Sequence, residues 1–342
     1  MNKWLKVLLF VVVGLIVLVA IGITATIGWR PIIGPRARAL TDRKFEPTPA
    51  RLARGEYMAK GVTPCLVCHS ETAPDAQWVP IAGTEGAGRV WMEPGLEWVV
   101  MPNITPDPET GAGNWSDDGI ARAVREGIGN DGRTLFPFMP YEKFHEMSDE
   151  DLASIISYIR TLKPVRKQQP KIQIPFPVNR LINSVPQPIE APVPPPDQST
   201  PQARGKYLST IAVCADCHTP LDPQNAPIPG MAFAGGTRFA IPGEKVVNSA
   251  NLTPSPNGIP YYTADLFIET IRTGKVRARE LSDVMPWRFY QNMTDEDLRS
   301  IFAYIQTLSP VDHYVDNALP PTLCARCGQS HGGGERNKAP AE

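Results

Sequence analysis

Two short stretches restrict this 342-residue chain more than anything else in it: Cys65-Leu-Val-Cys68-His69 and Cys214-Ala-Asp-Cys217-His218. On a helical turn, positions i, i+3 and i+4 share one face. Two thiols can then form thioethers with the vinyl groups of a c-type haem while the following imidazole reaches the iron. A bare Cys-x-x-Cys would equally serve a redox dithiol or half of a zinc site, and zinc or disulfide use is the alternative here. Recurrence of the complete motif favours two covalently bound haem c groups, with Cys65, Cys68, Cys214 and Cys217 as attachment points and His69 and His218 as iron ligands.

The motifs sit inside a longer repeat. Arg54-Gly55-Glu56-Tyr57 matches Arg204-Gly205-Lys206-Tyr207 at an offset of 150 residues, and the cysteines follow at 149. Asn103-Ile-Thr-Pro106 matches Asn251-Leu-Thr-Pro254 at 148, Trp115-Ser116 matches Tyr262-Thr263 at 147, and Met139-Pro140 matches Met285-Pro286 at 146. An offset that drifts by single residues while the order holds indicates a duplicated domain with small deletions. Each copy ends in a helical pattern, with Leu152, Ile155, Ile156, Ile159 and Leu162 in one and Leu298, Ile301, Phe302, Ile305 and Leu308 in the other. Ser148 and Thr294 are the expected N-caps. Gly55 and Gly205 lie in the helix leading into each motif and imply a close helix crossing, since glycine inside a helix costs about 1 kcal/mol against alanine.

Leu5 to Trp29 carries no charge except Lys6 and is long enough to cross a bilayer as a helix. We read it as a retained single-pass anchor, with a cleaved signal peptide as the alternative. Arg30, Arg36, Arg38, Arg43 and Lys44 outnumber the lysines before the span, so the positive-inside rule alone would put the wrong end in the cytoplasm. Haem attachment overrules it and places the haem domains on the periplasmic side of a bacterial inner membrane. The basic cluster is then expected at lipid phosphates. The resulting boundaries are anchor and juxtamembrane segment 1–44, first domain 45–163, Pro-rich linker 164–200, second domain 201–310, and tail 311–342. The linker's middle, Ile172 to Val178 with Leu181 and Ile182, is too apolar to float free and is expected along a domain surface.

Residues 45–162 hold 9 Lys/Arg against 18 Asp/Glu, and residues 201–309 hold 10 of each. No basic footprint for nucleic acid follows from that balance. The acidic clusters Asp117-Asp118 and Asp149-Glu150-Asp151 are expected to steer a basic partner to the first domain.

Histidine supplies one axial ligand per iron, and the sixth position separates an electron carrier from a haem enzyme. Met139 and Met285 stand in matching Met-Pro loops before the last helices and are the candidate sixth ligands. Their rivals Met147 and Met293 directly precede the N-caps, where an apolar residue packs on Leu152 or Leu298 as a hydrophobic staple. His145 has Gln291 as its counterpart and reads as a solvated side chain. His313 and His331 lie in the tail and have no repeat logic behind them. In the tail, Cys324-Ala-Arg-Cys327 is followed by Gly328 instead of histidine, so a local disulfide is expected ahead of a metal site that includes His331. Residues 332–338 are expected to be disordered.

Together, the paired Cys-x-x-Cys-His motifs, Asn-x-Thr-Pro loops, Met-Pro loops and Ser/Thr-Asp-Glu-Asp-Leu helices resemble class I cytochrome c domains. They are most similar to those in cytochrome subunits of membrane-bound periplasmic alcohol, gluconate and nicotinate dehydrogenases. The resemblance covers roughly residues 48 to 312. It implies an all-α fold, a haem in a crevice of each of two tandem domains, and Asn103 and Asn251 loops close to the haems. It also implies an electron-transfer role without substrate chemistry. A periplasmic dehydrogenase would be the donor, and a quinone, soluble cytochrome or terminal oxidase the acceptor. The alternative is a dihaem peroxidase-like enzyme, which needs one accessible iron and against which the paired Met-Pro loops argue. A redox sensor would call for an attached signalling domain, and none is read here.

Overall fold

Residues 2–73, 76–91, 98–241 and 245–338 are described by the structure, a computed structural model. Its longest helix is α1 (Lys3–Ala25), apolar and long enough to cross a membrane and making no buried contact with the rest of the chain. A short α2 (Arg30–Ile33) follows.

The remaining helices occur in two matching series. The first comprises α3 (Pro49–Tyr57), α4 (Cys65–Cys68), α5 (Asp117–Glu126), α6 (Tyr141–Phe144) and α7 (Asp149–Ile159). After α8 (Val178–Leu181) comes the second: α9 (Pro201–Ile211), α10 (Cys214–His218), α11 (Ala264–Thr273), α12 (Trp287–Tyr290) and α13 (Asp295–Ile305). The chain is mostly helical, but an all-α description omits five two-stranded antiparallel ribbons among the described residues. These are short loops folded back on themselves, too small to build a sheet core.

Local chemistry sets the helix ends in both series. Thr48 and Thr200 cap α3 and α9 ahead of a proline at the first helical position. Ser116 and Thr263 cap α5 and α11, which stop at the left-handed glycines Gly127 and Gly274. Ser148 and Thr294 accept from the amides of Asp151 and Asp297, as the capping expectation requires.

The glycines find their reason at the helix crossings. A Cβ on Gly55 would lie 1.9 Å from the carbonyl oxygen of Ser154, and one on Gly205 would lie 1.8 Å from that of Ser300. Helix α3 therefore meets α7, and α9 meets α13, backbone against backbone. One apolar cluster runs through both series and includes Met58, Val62, Phe144, Leu152 and Ile156 together with Leu208, Ile211, Phe289, Leu298 and Ile301.

Two reciprocal contacts join the halves. Tyr57 donates to the Asp297 carboxylate and accepts from the Thr294 amide at 3.1 Å. Tyr207 donates to Asp151 at 2.6 Å and accepts from the Ser148 amide at 3.2 Å. Each aspartate also takes the guanidinium of its own half, Arg54 on Asp151 and Arg204 on Asp297, both with Nε at 2.7 Å.

The Pro-rich stretch lies against the first half. Asn103 Nδ2 donates to the Val165 carbonyl at 2.7 Å, Gln169 Nε2 to that of Ala87 at 2.9 Å, and Thr134 to Asn183 at 2.7 Å. Ile182 is buried, while Phe176 and Leu181 stay exposed near α2. Two residues of the basic segment after α1, Arg38 and Arg43, turn to carboxylates of the first half. Arg38 forms a two-pronged ion pair with the buried Asp118 at 2.7 and 2.8 Å and reaches Glu126 at 2.9 Å. A buried carboxylate needs a cation, and Arg38 is the complementary group within reach.

The tail corrects another expectation, since residues 332–338 are ordered. Pro321–Leu323 pairs with Ser330–Gly332, a 3-10 turn spans Gly334–Asn337, and the buried Asn337 amide donates to the carbonyls of Thr322 and His331. Glycine-rich composition was a poor guide because the Asn337 amide satisfies the turn from within.

Candidate haem-binding sites

In the first half, Thr63 and Pro64 end the preceding helix and start α4, whose turn carries Cys65 and Cys68 on one face. The amide of His69 closes the turn on the Cys65 carbonyl at 2.9 Å. The ring Nδ1 of His69 lies 2.8 Å from the carbonyl oxygen of Pro102. A carbonyl can only accept, so Nδ1 carries the proton and Nε2 keeps its lone pair. Burial pushes the His69 pKa down, which holds the ring in the neutral form that can ligate a metal.

The second half repeats this arrangement. His218 ends α10 and its Nδ1 donates to the Ala250 carbonyl at 2.8 Å, with burial again lowering its pKa. Burial raises the thiol pKa values too, to about 11 for Cys68 and Cys217 and about 12 for Cys214, so the thiols remain protonated at neutral pH.

Pro102 and Ala250 immediately precede the Asn-x-Thr-Pro loops, which explains what those loops do. Asn103 Oδ1 accepts from the amide and hydroxyl of Thr105 at 3.0 and 2.7 Å, and Asn251 does the same with Thr253 at 2.9 and 2.7 Å. Their Nδ2 groups hold the segment that follows the last helix of each half, at Val165 and Val311. The asparagines thus fix the carbonyls that orient the histidines, a link that sequence spacing alone did not give.

Apolar side chains enclose the cysteines. Trp91, Val99 and Met101 form a buried cluster with Cys68, Trp78, Trp98 and Phe136. The rings of Trp91 and Phe138 meet edge to face with centroids 5.0 Å apart. Met139 and Met285 are half-buried and pack at the margin of the cluster that also receives Cys65, Cys68 and Cys214. Met147 and Met293 are buried inside it with Leu152 and Leu298. Their carbonyls accept from Arg125 at 2.8 Å and Arg272 at 2.5 Å, as suits residues fixing a helix entry. Met101 is a buried methionine that the repeat comparison passed over, because the offset places Ser249 opposite it.

The donor set fits a haem. Each half offers two thiols and a neutral buried imidazole on one turn. In the first half Arg89 adds a second observation: its Nη1 donates to Thr72 at 2.7 Å, but its buried Nε and Nη2 have no hydrogen-bond partner among the described residues. Buried nitrogens left without hydrogen bonds on a cation are costly, and this guanidinium, 4.7 Å above the Trp91 ring, stands close enough to Cys68 and His69 to influence both. An anionic carboxylate such as a haem propionate would satisfy it. Gly88 and Gly235 donate their amides to the carbonyls of His69 and His218, which puts Gly236 opposite Arg89, with Arg238 two residues further on.

One further expectation needs revision. His145 is half-buried with Nδ1 3.3 Å from the Arg125 carbonyl, because it lies on the turn that this arginine pins. The acidic clusters are paired: Asp117 with Arg160, Asp118 with Arg38, Asp149 with Arg125, Glu150 with Arg51 and Asp151 with Arg54, all within 3 Å. Asp295, Glu296 and Asp297 are paired likewise with Arg272 and Arg204. Ion pairs thus hold these clusters in both halves, while the excess of acidic over basic residues in 45–162 remains.

No family model matches the chain. It is 33% identical over 199 residues to a nicotinate dehydrogenase component of Pseudomonas putida, covering 55% of this chain and 15% of that one. It is 27% identical over 305 residues to the cytochrome c subunit of the quinone-dependent alcohol dehydrogenase of Gluconobacter oxydans, covering 84% of this chain and 61% of the relative. To a dihaem c-type cytochrome of Cereibacter sphaeroides it is 27% identical over 275 residues, covering 76% of this chain and 86% of that one. The chain thus spans less than two thirds of the two dehydrogenase proteins. Over most of its length it resembles the cytochrome c subunits of dehydrogenases and a dihaem c-type cytochrome.

Proposed function

We propose that this chain is a membrane-tethered dihaem c-type cytochrome that relays electrons and performs no substrate chemistry itself. The observation that carries this reading is the repeated turn, in which a buried neutral imidazole with its Nδ1 held by a carbonyl follows two thiols. Residues 45–163 and 201–310 would form two class I cytochrome c domains joined by the linker 164–200, with α1 as anchor in the inner membrane and the domains in the periplasm. A bound haem supplies reversible one-electron exchange at its iron. Cys65, Cys68, Cys214 and Cys217 would hold the two haems, with His69 and His218 as one ligand of each iron. Met139 and Met285 would be the other, because both stand in matching loops at the margin of the cysteine-lined cluster. Thioether ligation raises the potential and closes the sixth position, which favours a carrier over the peroxidase alternative. The donor would be a periplasmic dehydrogenase, by analogy with the relatives named above, and the acceptor a quinone, cytochrome or oxidase.

Covalent haem count tests the reading directly. Intact mass and haem staining after denaturing electrophoresis should find two haems, and Cys65→Ala with Cys68→Ala should leave one. Met139→Ala and Met285→Ala should each remove part of the methionine-to-iron charge-transfer band and lower one potential. Loss on Met147→Ala or Met293→Ala instead would transfer the ligand role to those residues. A high-spin haem that binds peroxide in the resting protein would sink the carrier reading.

A further inference from the structure

Sequence reading left His313 without a role, expected Cys324 and Cys327 to form a disulfide, and ranked a metal site including His331 behind it. The fold gathers all four. Their ligating atoms lie within 4.8 Å of one another, and every one of these residues is buried, His331 completely.

Hydrogen bonding fixes the state of both rings. His313 Nδ1 lies 2.8 Å from the Ala234 carbonyl and His331 Nδ1 3.2 Å from the Gly332 carbonyl, so both Nδ1 atoms donate and both Nε2 atoms carry lone pairs. Those two Nε2 atoms are 3.0 Å apart. Two lone pairs that close in a dry interior repel unless a cation sits between them. A disulfide between the cysteines would leave that repulsion in place.

The sulfur–nitrogen spacing is that of tetrahedral zinc, and the two Nε2 atoms stand about 0.4 Å closer than zinc would set them. Tetrahedral zinc, with Zn–N near 2.05 Å and Zn–S near 2.3 Å, sets nitrogen donors about 3.4 Å apart and a sulfur and a nitrogen about 3.6 Å apart. Cys324 Sγ lies 3.6 Å from His313 Nε2. The surroundings are also those of a metal site. Gly328 takes a left-handed conformation directly after the second cysteine, which lets the Gln329 amide donate to Cys327 Sγ at 3.4 Å. A Cβ on Gly236 would come 2.7 Å from the His313 ring, so only glycine lets the chain pass this close. Two nitrogens, two sulfurs and a filled outer shell describe a closed structural site.

The geometry points to a structural zinc ion bound by His313, Cys324, Cys327 and His331, which fastens the tail to the second half. Its consequence reaches the candidate haem site. Asn251 Nδ2 donates to the carbonyls of Val311 at 2.9 Å and His313 at 3.0 Å, and the preceding Ala250 carbonyl orients His218. The ion would thereby steady the loop behind His218. The first half has Lys167 in the position of His313, and no such cluster occurs there among the described residues.

The test uses the full chain purified in detergent without chelators, with elemental analysis and peptide mapping. We expect about one zinc per chain and no 324–327 disulfide, and at least about a tenfold fall in zinc for Cys324→Ser with Cys327→Ser. Cys65→Ala with Cys68→Ala should leave zinc content unchanged, which separates this site from the haem motifs whatever those motifs hold. Wild-type protein with less than about a tenth of a zinc per chain, or with the two cysteines disulfide-linked, overturns the assignment without recourse to a variant. Zinc retained by the Cys324→Ser, Cys327→Ser protein overturns it as well.

Discussion

Gly55 and Gly205 show how a single missing Cβ can determine a fold. Each sits where a neighbouring backbone carbonyl occupies the space a side chain would need, and the clash is with main chain that cannot rotate away. Gly55→Ala and Gly205→Ala should each therefore destabilise the protein by about 3 kcal/mol or more, since the whole helix must shift. Chemical denaturation would measure it, and a loss below about 1 kcal/mol would mean that the crossing gives way cheaply. These glycines were legible in the sequence because their helical cost demanded a compensating contact. The Arg89 guanidinium was not, since nothing in a sequence marks an arginine with buried nitrogens left unbonded among the described residues.

Among the elements, the drifting repeat offset has a physical counterpart. It falls from 150 to 149 between the tyrosines and the first cysteines, so the first half carries one extra residue there. That residue is absorbed by a π-helical turn over Met58–Val62, closed by the Thr63 amide on the Met58 carbonyl at 2.8 Å, whereas α9 continues as an α-helix. A π-turn takes up an insertion without breaking the helix. The drift was visible in the sequence, but its form was not. The Asn-x-Thr-Pro loops were equally visible as matched strings, yet their work lies in contacts about 60 residues distant, which no local pattern reports. Asn103→Ala or Asn251→Ala should cost about 1–3 kcal/mol, because buried carbonyls and a threonine pair lose their partner. Hydrogen exchange should speed up first at residues 102–105 or 250–253, and protection unchanged there would show that the loops stand without the asparagine.

Across the whole molecule, the two halves are held by a shared apolar cluster and by the Tyr57 and Tyr207 hydroxyls. Burial, aided by the bond to Asp297, pushes the Tyr57 pKa from 10 up to about 12, and Tyr207 moves in the same direction for the same reasons. A folded pKa above the unfolded one stabilises the neutral form. That contribution is complete below pH 10 and is lost as pH rises through about 12. The unfolding midpoint should accordingly drop steeply over that window. Tyr57→Phe with Tyr207→Phe should lower stability at neutral pH by about 1 kcal/mol per bond and flatten the alkaline limb. An equally steep limb in the double variant would place the alkaline sensitivity elsewhere.

The reciprocity of those contacts has a historical reading. Tyr57 reaches Asp297 as Tyr207 reaches Asp151, and contact of i with j matched by contact of j with i is the mark of an isologous, two-fold dimer. The molecule has the form of a two-fold dimer whose duplicated halves share one chain, with several single-residue length differences between them and a Cys/His-rich tail after the second. A chain severed within the Pro-rich segment would still be one particle, since what holds the halves together never depended on their being joined.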